Sequence, residues 1–265
     1  MLNTLLLAFT LCQPSDSLAN FSISNSVEIE IDQLQTDVLN NIYVLTGNTL
    51  RKYSTEGKEI CHYTNNQLGF PASFDCTDPL SIQLFYPDQN KLVYLDRTFS
   101  PITEPLSLDA LSSTSPMVVC NSSRESFWII NKQNLTLQCI NRNLQILLQS
   151  QPLTDIIRNN SQCKLLESEN QIVLLVKGKG IYLFNRFAAL DRFFPEPKAE
   201  IATLRQNTLY VSTRSSLEEI NILTGKKRSI CNPQSQLFVF PLSNKSFIGF
   251  SQKKFSILLF HETKE

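Results

Sequence analysis

The stretch Asn41-Ile-Tyr-Val-Leu-Thr-Gly-Asn-Thr-Leu-Arg-Lys-Tyr53 decides the fold. Two β-branched and aromatic runs, at 42–45 and 50–53, flank Thr46-Gly-Asn48. Gly and Asn tolerate positive φ, so the triplet reads as a tight hairpin turn between two strands. Related lines follow: Asn90-Lys-Leu-Val-Tyr-Leu95, Ser126-Phe-Trp-Ile-Ile130, Asn170-Gln-Ile-Val-Leu-Leu175, Asn207-Thr-Leu-Tyr-Val211 and Lys245-Ser-Phe-Ile-Gly-Phe250. A unit of roughly 40 residues thus recurs about six times, and short strands at that period are the signature of propeller blades. Helical signals are weak, with few capped apolar stripes at three-four spacing.

Working outward from the hairpin, each unit parses into four strands. Blade one takes 38–39, 42–45, 50–53 and 59–63, and blade two takes 73–76, 82–86, 92–95 and 102–106. Blade three takes 117–120, 127–130, 135–140 and 144–148, and blade four takes 163–166, 172–176, 181–184 and 189–194. Blade five takes 201–204, 209–212, 217–222 and 227–231. Blade six offers only 237–240, 247–250 and 255–260 before the sequence stops. Near the other end, Phe21-Ser-Ile-Ser-Asn-Ser-Val-Glu-Ile-Glu-Ile31 alternates like a strand and belongs to no blade. Its Val27, Ile29 and Ile31 fall on one face, opposite Glu28 and Glu30. An open terminal blade would leave a row of unpaired backbone groups. The expected fold is therefore all-β: a six-bladed β-propeller closed by pairing the strand at about 21–31 with the C-terminal blade.

Hydrophobic residues make up 42% of the 265, enough for one packed core. The 24 basic and 24 acidic residues balance. That argues against a dedicated nucleic-acid binder and against electrostatic docking on an anionic membrane. Lys226-Lys-Arg228 reads as a solvated turn. At the N-terminus, Leu5-Leu-Leu-Ala-Phe-Thr-Leu11 is apolar but too short to span a bilayer, and Ser17-Leu18-Ala19 offers a cleavage site. Residues 1–19 read as a signal peptide, although Met1-Leu-Asn-Thr4 lacks the usual positive charge. Residues 20–265 then form a single propeller domain in a periplasmic or otherwise extracytoplasmic setting. A lipid anchor at Cys12 is the minority reading, because Leu11 stands where a lipobox needs a small residue. No later segment is long and apolar enough to be transmembrane. Beyond the signal lie Cys61, Cys76, Cys120, Cys139, Cys163 and Cys231. An exported chain permits disulfides among them, and the sequence chooses no pairing. Most are expected to act as small buried hydrophobes.

The pattern Asn-x-Ile/Leu-Tyr-Val followed by Leu-x-x-Tyr and Gly resembles six-bladed propellers of the NHL and YWTD-like kind. With Asp78-Pro-Leu-Ser-Ile-Gln-Leu-Phe-Tyr-Pro-Asp88, the line at 42–53 also resembles a family of exported proteins from Bacteroidota. The resemblance covers nearly the full mature chain, implies the fold, and brings no activity with it. The chain departs from a typical propeller in having only seven Gly, and Asn is expected at many turns instead.

Chemistry is sparse. The two histidines, His62 and His261, fall on an outer strand and near the C-terminus. There is no Gly-rich phosphate loop and no Gly-x-Ser-x-Gly elbow. Lys177-Gly-Lys-Gly180 reads as a hairpin turn, and Trp128 as a core residue. Asn-x-Ser/Thr triplets at Asn20, Asn121, Asn134, Asn159 and Asn244 matter only in a eukaryotic secretory pathway. Channel candidates for a hard cation are Asp37, Asp75, Asp78, Asn121, Glu167 and Glu169, which do not occupy matching positions from blade to blade. Asp75 and Asp78 also suit a turn set by Pro79. Rim candidates for a binding surface are Phe70, Tyr86, Arg97, Phe99, Arg186, Phe187, Arg192 and Phe193, since aromatics and Arg are enriched at hot spots. The expectation is a non-enzymatic, exported scaffold, without cofactor, that binds another protein or an envelope component. The alternatives are a metal-dependent lactonase-like hydrolase with an axial cation, and a small-ligand or glycan binder in the central funnel.

Overall fold

The computed structural model describes residues 21–111, 116–122, 125–231, 237–243 and 246–261. The expected signal peptide, its cleavage site and Cys12 lie outside the described residues. The first strand, β1 (Phe21–Glu28), belongs to the last blade. Blade one runs β2 (Gln33–Thr36), β3 (Ile42–Thr46), β4 (Thr49–Tyr53) and β5 (Glu59–Thr64). Blade two runs β6 (Ser73–Asp75), β7 (Ile82–Tyr86), β8 (Lys91–Leu95) and β9 (Leu106–Ser107). Blade three runs β10 (Pro116–Ser122), β11 (Ser126–Asn131), β12 (Leu137–Asn141) and β13 (Ile146–Gln149). Blade four runs β14 (Cys163–Ser168), β15 (Gln171–Val176), β16 (Gly180–Asn185) and β17 (Leu190–Phe194). Blade five runs β18 (Ile201–Arg205), β19 (Thr208–Ser212), β20 (Leu217–Asn221) and β21 (Lys227–Cys231). Blade six holds β22 (Phe238–Pro241), β23 (Ser246–Ser251) and β24 (Lys254–Phe260), and β1 adds the fourth, outer strand. All pairings within the blades are antiparallel. The chain is a six-bladed β-propeller.

The core is divided among the seams between blades, and every seam has its own buried cluster. In β15, Ile172, Leu174 and Val176 pack toward blade three, while Val173 and Leu175 pack toward blade five. In β3, Ile42 and Val44 face blade six, while Tyr43 and Leu45 face blade two. Both faces of a middle strand are thus dry, which is why such strands read as unbroken apolar runs. Outer strands face water on their edges, and β17 leaves Leu190 to Phe193 exposed.

Closure follows the expected route. Phe21 pairs with Phe260, Val27 with Phe255 and Glu28 with Lys254. Ile29 N then donates to Lys253 O and Ile31 N to Gln252 O, before Asp32 N crosses to Leu45 O in blade one. The Phe21 ring lies 5.3 Å from that of Phe247 and 5.2 Å from that of Phe260. Fully buried Phe255 meets Tyr53 of blade one at 5.3 Å.

Most strands differ from expectation only at their ends, and two are displaced further. The inner strand of blade one is β2, not 38–39, and Val38 and Leu39 stand exposed in the following turn. Asp37 accepts from the backbone N–H groups of Leu39 and Asn41, bending the chain there, while Leu34 supplies the buried residue. The outer strand of blade two shrinks from 102–106 to the two residues of β9 plus a bridge from Leu95 to Pro101. Pro101 and Pro105 have no N–H to give a ladder. Asn does take left-handed turn positions, at Asn40, Asn90 and Asn170. Cys61, Cys76, Cys120, Cys139 and Cys163 are free thiols packed on the seam cores, so these five contribute through packing. The side chain of Cys231 lies outside the description.

Truncating Phe255 to Ala should cost about 3–5 kcal/mol by opening the seam between blades six and one. Urea unfolding of the variant measures this; a loss below about 1 kcal/mol would mean that the seam is not packed shut.

Candidate functional site

The innermost strand of each blade is a sheet edge whose axial backbone groups have no neighbouring strand. Side chains of the adjacent blade fill that gap. Gln33 Nε2 donates to Ala72 O at 2.6 Å and Gln35 Nε2 to Phe74 O at 2.6 Å, joining blades one and two. Lys164 Nζ donates to Glu200 O at 3.2 Å and Ser168 Oγ to Leu204 O at 2.9 Å, joining four and five. Between five and six, Val239 N donates to Ser212 Oγ at 3.0 Å and Arg205 Nη1 to Leu242 O at 2.9 Å.

The channel candidates sit within this network. Asp37 just after β2, Asp75 ending β6, Asn121 near the end of β10 and Glu167 near the end of β14 come to one rim of successive blades. Their surroundings differ: Asp75 lies opposite Gln83 and bonds forward to blade three, whereas Glu167 lies opposite Ile172 and bonds back to blade three. Each is already occupied. Asp37 is buried and accepts from Leu39 N, Asn41 N, Asn41 Nδ2 and Tyr43 OH at 2.7–2.9 Å. Burial, then Cys76 and Asp37 itself, push the Tyr43 hydroxyl far above its ordinary pKa. Asp75 accepts from Thr77 N at 2.8 Å and from Asn121 N at 3.1 Å. Asn121 Nδ2 donates to Ser81 O at 2.8 Å. Glu167 accepts from Trp128 Nε1 at 2.8 Å across the seam between blades three and four. Glu169 is exposed and accepts from Gln206 N, and exposed Asp78 caps Leu80 N. Among the described residues, no group of three or more His, Cys, Asp or Glu side chains is arranged to hold a metal ion. His62 and His261 lie outward, the first against Glu59 and the second against Ser22.

Arg205, at the end of β18, was not singled out in the sequence. Its Nη2 reaches Thr36 Oγ1 at 3.3 Å, so the guanidinium ties blade five to blade one past blade six. Burial lowers its pKa, and nearby Tyr210 and Asp37 work the other way. The available signal was positional: Arg205 ends the inner strand of its blade as Asp75 ends that of blade two. Lys52 was missed too. It is buried, donates to Arg97 O at 3.2 Å and lies 5.5 Å over the Tyr43 ring.

The rim candidates divide. Tyr86 and Phe99 are buried between blades one and two, so they serve packing, and Phe99 lies 6.0 Å from Tyr43. Both sit near turns, but the propeller buries side chains on both blade faces there. Phe70 and Arg97 are exposed near those blades. Arg186 and Phe187, in the turn before β17, and Arg192 and Phe193, within it, all lie on blade four. The turn before β17 is set by Asn185, whose Oδ1 accepts from Phe187 N and Ala189 N, while Ala188 plugs inward at φ +62°. Arg186 and Phe187 are thereby turned outward, with the guanidinium 4.8 Å over the ring. Phe193 stacks on Tyr182 at 4.4 Å, and Arg192 Nη1 donates to Leu223 O of blade five at 3.0 Å. Phe187 is 62% exposed, Leu190 50% and Leu223 60%; Leu190 lies opposite Phe184 on the face toward blade three, and Leu223 belongs to blade five. Leu190 and Leu223 were not anticipated, since a lone Leu in an outer strand or turn carries no signal of exposure.

No protein-family model matches the sequence, and no curated protein matches it. Among solved structures the chain is similar to the Neurospora crassa Pan2 WD40 domain, with a TM-score of 0.59 and 10% identity over 95% of this chain and 98% of that one. It is similar to the virginiamycin B lyase of Staphylococcus aureus, with a TM-score of 0.58 and 9% identity over 91% and 99%. A protein of unknown function from Bacteroides caccae gives a TM-score of 0.56 and 12% identity over 79% and 82%. These likenesses establish the propeller fold and carry no activity across.

Burial raises the Asp75 pKa, against the two backbone N–H bonds that lower it. The folded state therefore holds this proton more tightly than the unfolded chain, and the associated stability is present in acid and lost as pH rises. Relative to Asp75→Asn, the wild type should lose stability as pH climbs from about 4 toward neutrality. Urea midpoints of the two proteins across that range test this, and a constant difference would contradict it.

Proposed function

We propose that this protein is an extracytoplasmic binding scaffold that holds a protein or envelope component on its rim and carries out no chemistry of its own. One observation carries the reading: the exposed Arg186 and Phe187 stack on each other in the turn before the outer strand of blade four, residue types enriched at binding hot spots. The axial carboxylates support it from the other side, because each is held by hydrogen bonds within or between blades. A rigid disc with loops at both rims suits presentation of such a surface. Of the five free cysteines, Cys76, Cys120 and Cys139 are buried and so shielded from oxidation, while Cys61 and Cys163 are half-buried. The hairpin pattern supports kinship with NHL and YWTD-like propellers and with the exported proteins of Bacteroidota. No helix among the described residues is long and apolar enough to cross a membrane.

Capture from envelope extracts with wild type and with a Phe187→Ser/Leu190→Ser variant tests the proposal. The variant should bind the captured partner at least about tenfold more weakly, with unchanged thermal unfolding. Identical capture by both proteins, or cation-dependent hydrolysis of lactones or phosphotriesters by the wild type, would overturn it.

A further inference from the structure

We infer that the occupant of the blade-four edge is an extended acidic segment of a partner protein, with apolar residues interleaved, that pairs alongside β17. The inference rests on the scaffold reading and specifies its partner. Three observations lead there. First, β17 ends its sheet in the order β14-β15-β16-β17, so its outer backbone groups have no strand partner among the described residues. Edge strands of this kind accept an added strand, with main-chain hydrogen bonds giving affinity and alternate side chains giving selectivity. Second, Leu190 on β17 and Phe187 in the turn before it are exposed apolar groups that such a strand would meet.

Third, the charges around that surface are lopsided. Arg186, Arg192 and Lys226 form no ion pair among the described residues, while Arg228 lies opposite Glu219 on the far face of blade five. Lys227, which opens β21, is paired with Glu196, which removes that carboxylate as a counter-charge. Asp191 is the one acid within β17. Arg192 spends one nitrogen on Leu223 O, which fixes the guanidinium at the boundary of blades four and five, where its remaining donors meet a carboxylate at little further entropic cost. The other outer strands lack this combination. The short β9 offers two residues, β5 places Glu59 and His62 on its edge, β13 exposes Ile146 and Leu147 with no cation in the strand, β1 holds no cation, and in β21 Lys227 is paired and Arg228 faces Glu219. A flat lipid surface would use the cations but not the edge backbone, so a peptide strand is the better fit.

The probes are two synthetic peptides of alternating sequence, Asp-Leu repeated and Lys-Leu repeated, read by fluorescence polarisation, together with phosphatidylserine vesicles. The wild type should bind the Asp-Leu peptide and not the Lys-Leu twin, with affinity falling as salt is raised beyond the range where charges are screened. An Arg186→Glu/Arg192→Glu variant should lose at least tenfold in affinity, while Phe70→Ser, away from the surface, should bind as wild type. Equal binding of both peptides, indifference to the double charge reversal, or binding to vesicles without binding to peptide would overturn the inference. If acid preference fails while capture from extracts still depends on Phe187 and Leu190, only this inference falls and the scaffold reading stands. If both fail, the scaffold reading falls as well.

Discussion

A ring of sheets has no stable intermediate between open and closed, and here the closing interaction is the pairing of β1 with β24. Each blade is four strands thick and buries both faces against its neighbours, so an unclosed ring would expose two whole faces at once. The seam between blades six and one would lose the cluster that includes Ile42, Val44, Ile248, Phe255 and Ile257. Burial of one such side chain contributes about 1.5–3 kcal/mol, so the seam as a whole outweighs any single polar contact in the molecule. The other five seams depend on it geometrically, because each holds its angle only while the last is filled.

The same ring geometry explains why polar residues crowd the axis. Six inner edges converge there with backbone groups that no strand can reach. Gln33, Gln35, Asp75, Lys164, Ser168 and Arg205 meet that need by bonding main-chain groups of the next blade. A buried polar group left unmatched costs about 1–3 kcal/mol, so these residue types are demanded by the architecture itself. What the architecture does not demand is an exposed Phe187 beneath a guanidinium, and that surface is where function is sought.

Much of this was legible in the residues. Two strands, β7 and β21, fall where the sequence placed them, because Ile82 to Tyr86 is bounded by Ser81 and Pro87, and Lys227 to Cys231 by turn residues. The closing strand was legible because blade six ran out one strand short while Val27, Ile29 and Ile31 alternated with no blade to join. Blade one's inner strand was not, since Val38 and Leu39 look more apolar than Gln33-Leu-Gln-Thr36, and the inner edge selects glutamines for their reach. Exposure was the least legible property. Phe99 and Phe187 are both aromatic turn residues, yet one fills a seam and the other faces water, a difference made by which neighbouring blade lies within reach. Arg205 was invisible for a related reason: its partners lie in two other blades and appear only once the ring closes.

The direct test of closure is a covalent one. Ser26 and Ser256 face each other across the β1–β24 pairing, with their hydroxyl oxygens 2.8 Å apart. A Ser26→Cys/Ser256→Cys protein should form that disulfide under mild oxidation, mapped by mass spectrometry. The bond should raise unfolding stability by about 2–4 kcal/mol, because it holds the two ends of the ring together in the unfolded chain. A failure of the two thiols to join, or a bond that weakens the fold, would show that the chain ends do not meet and would contradict the closed propeller.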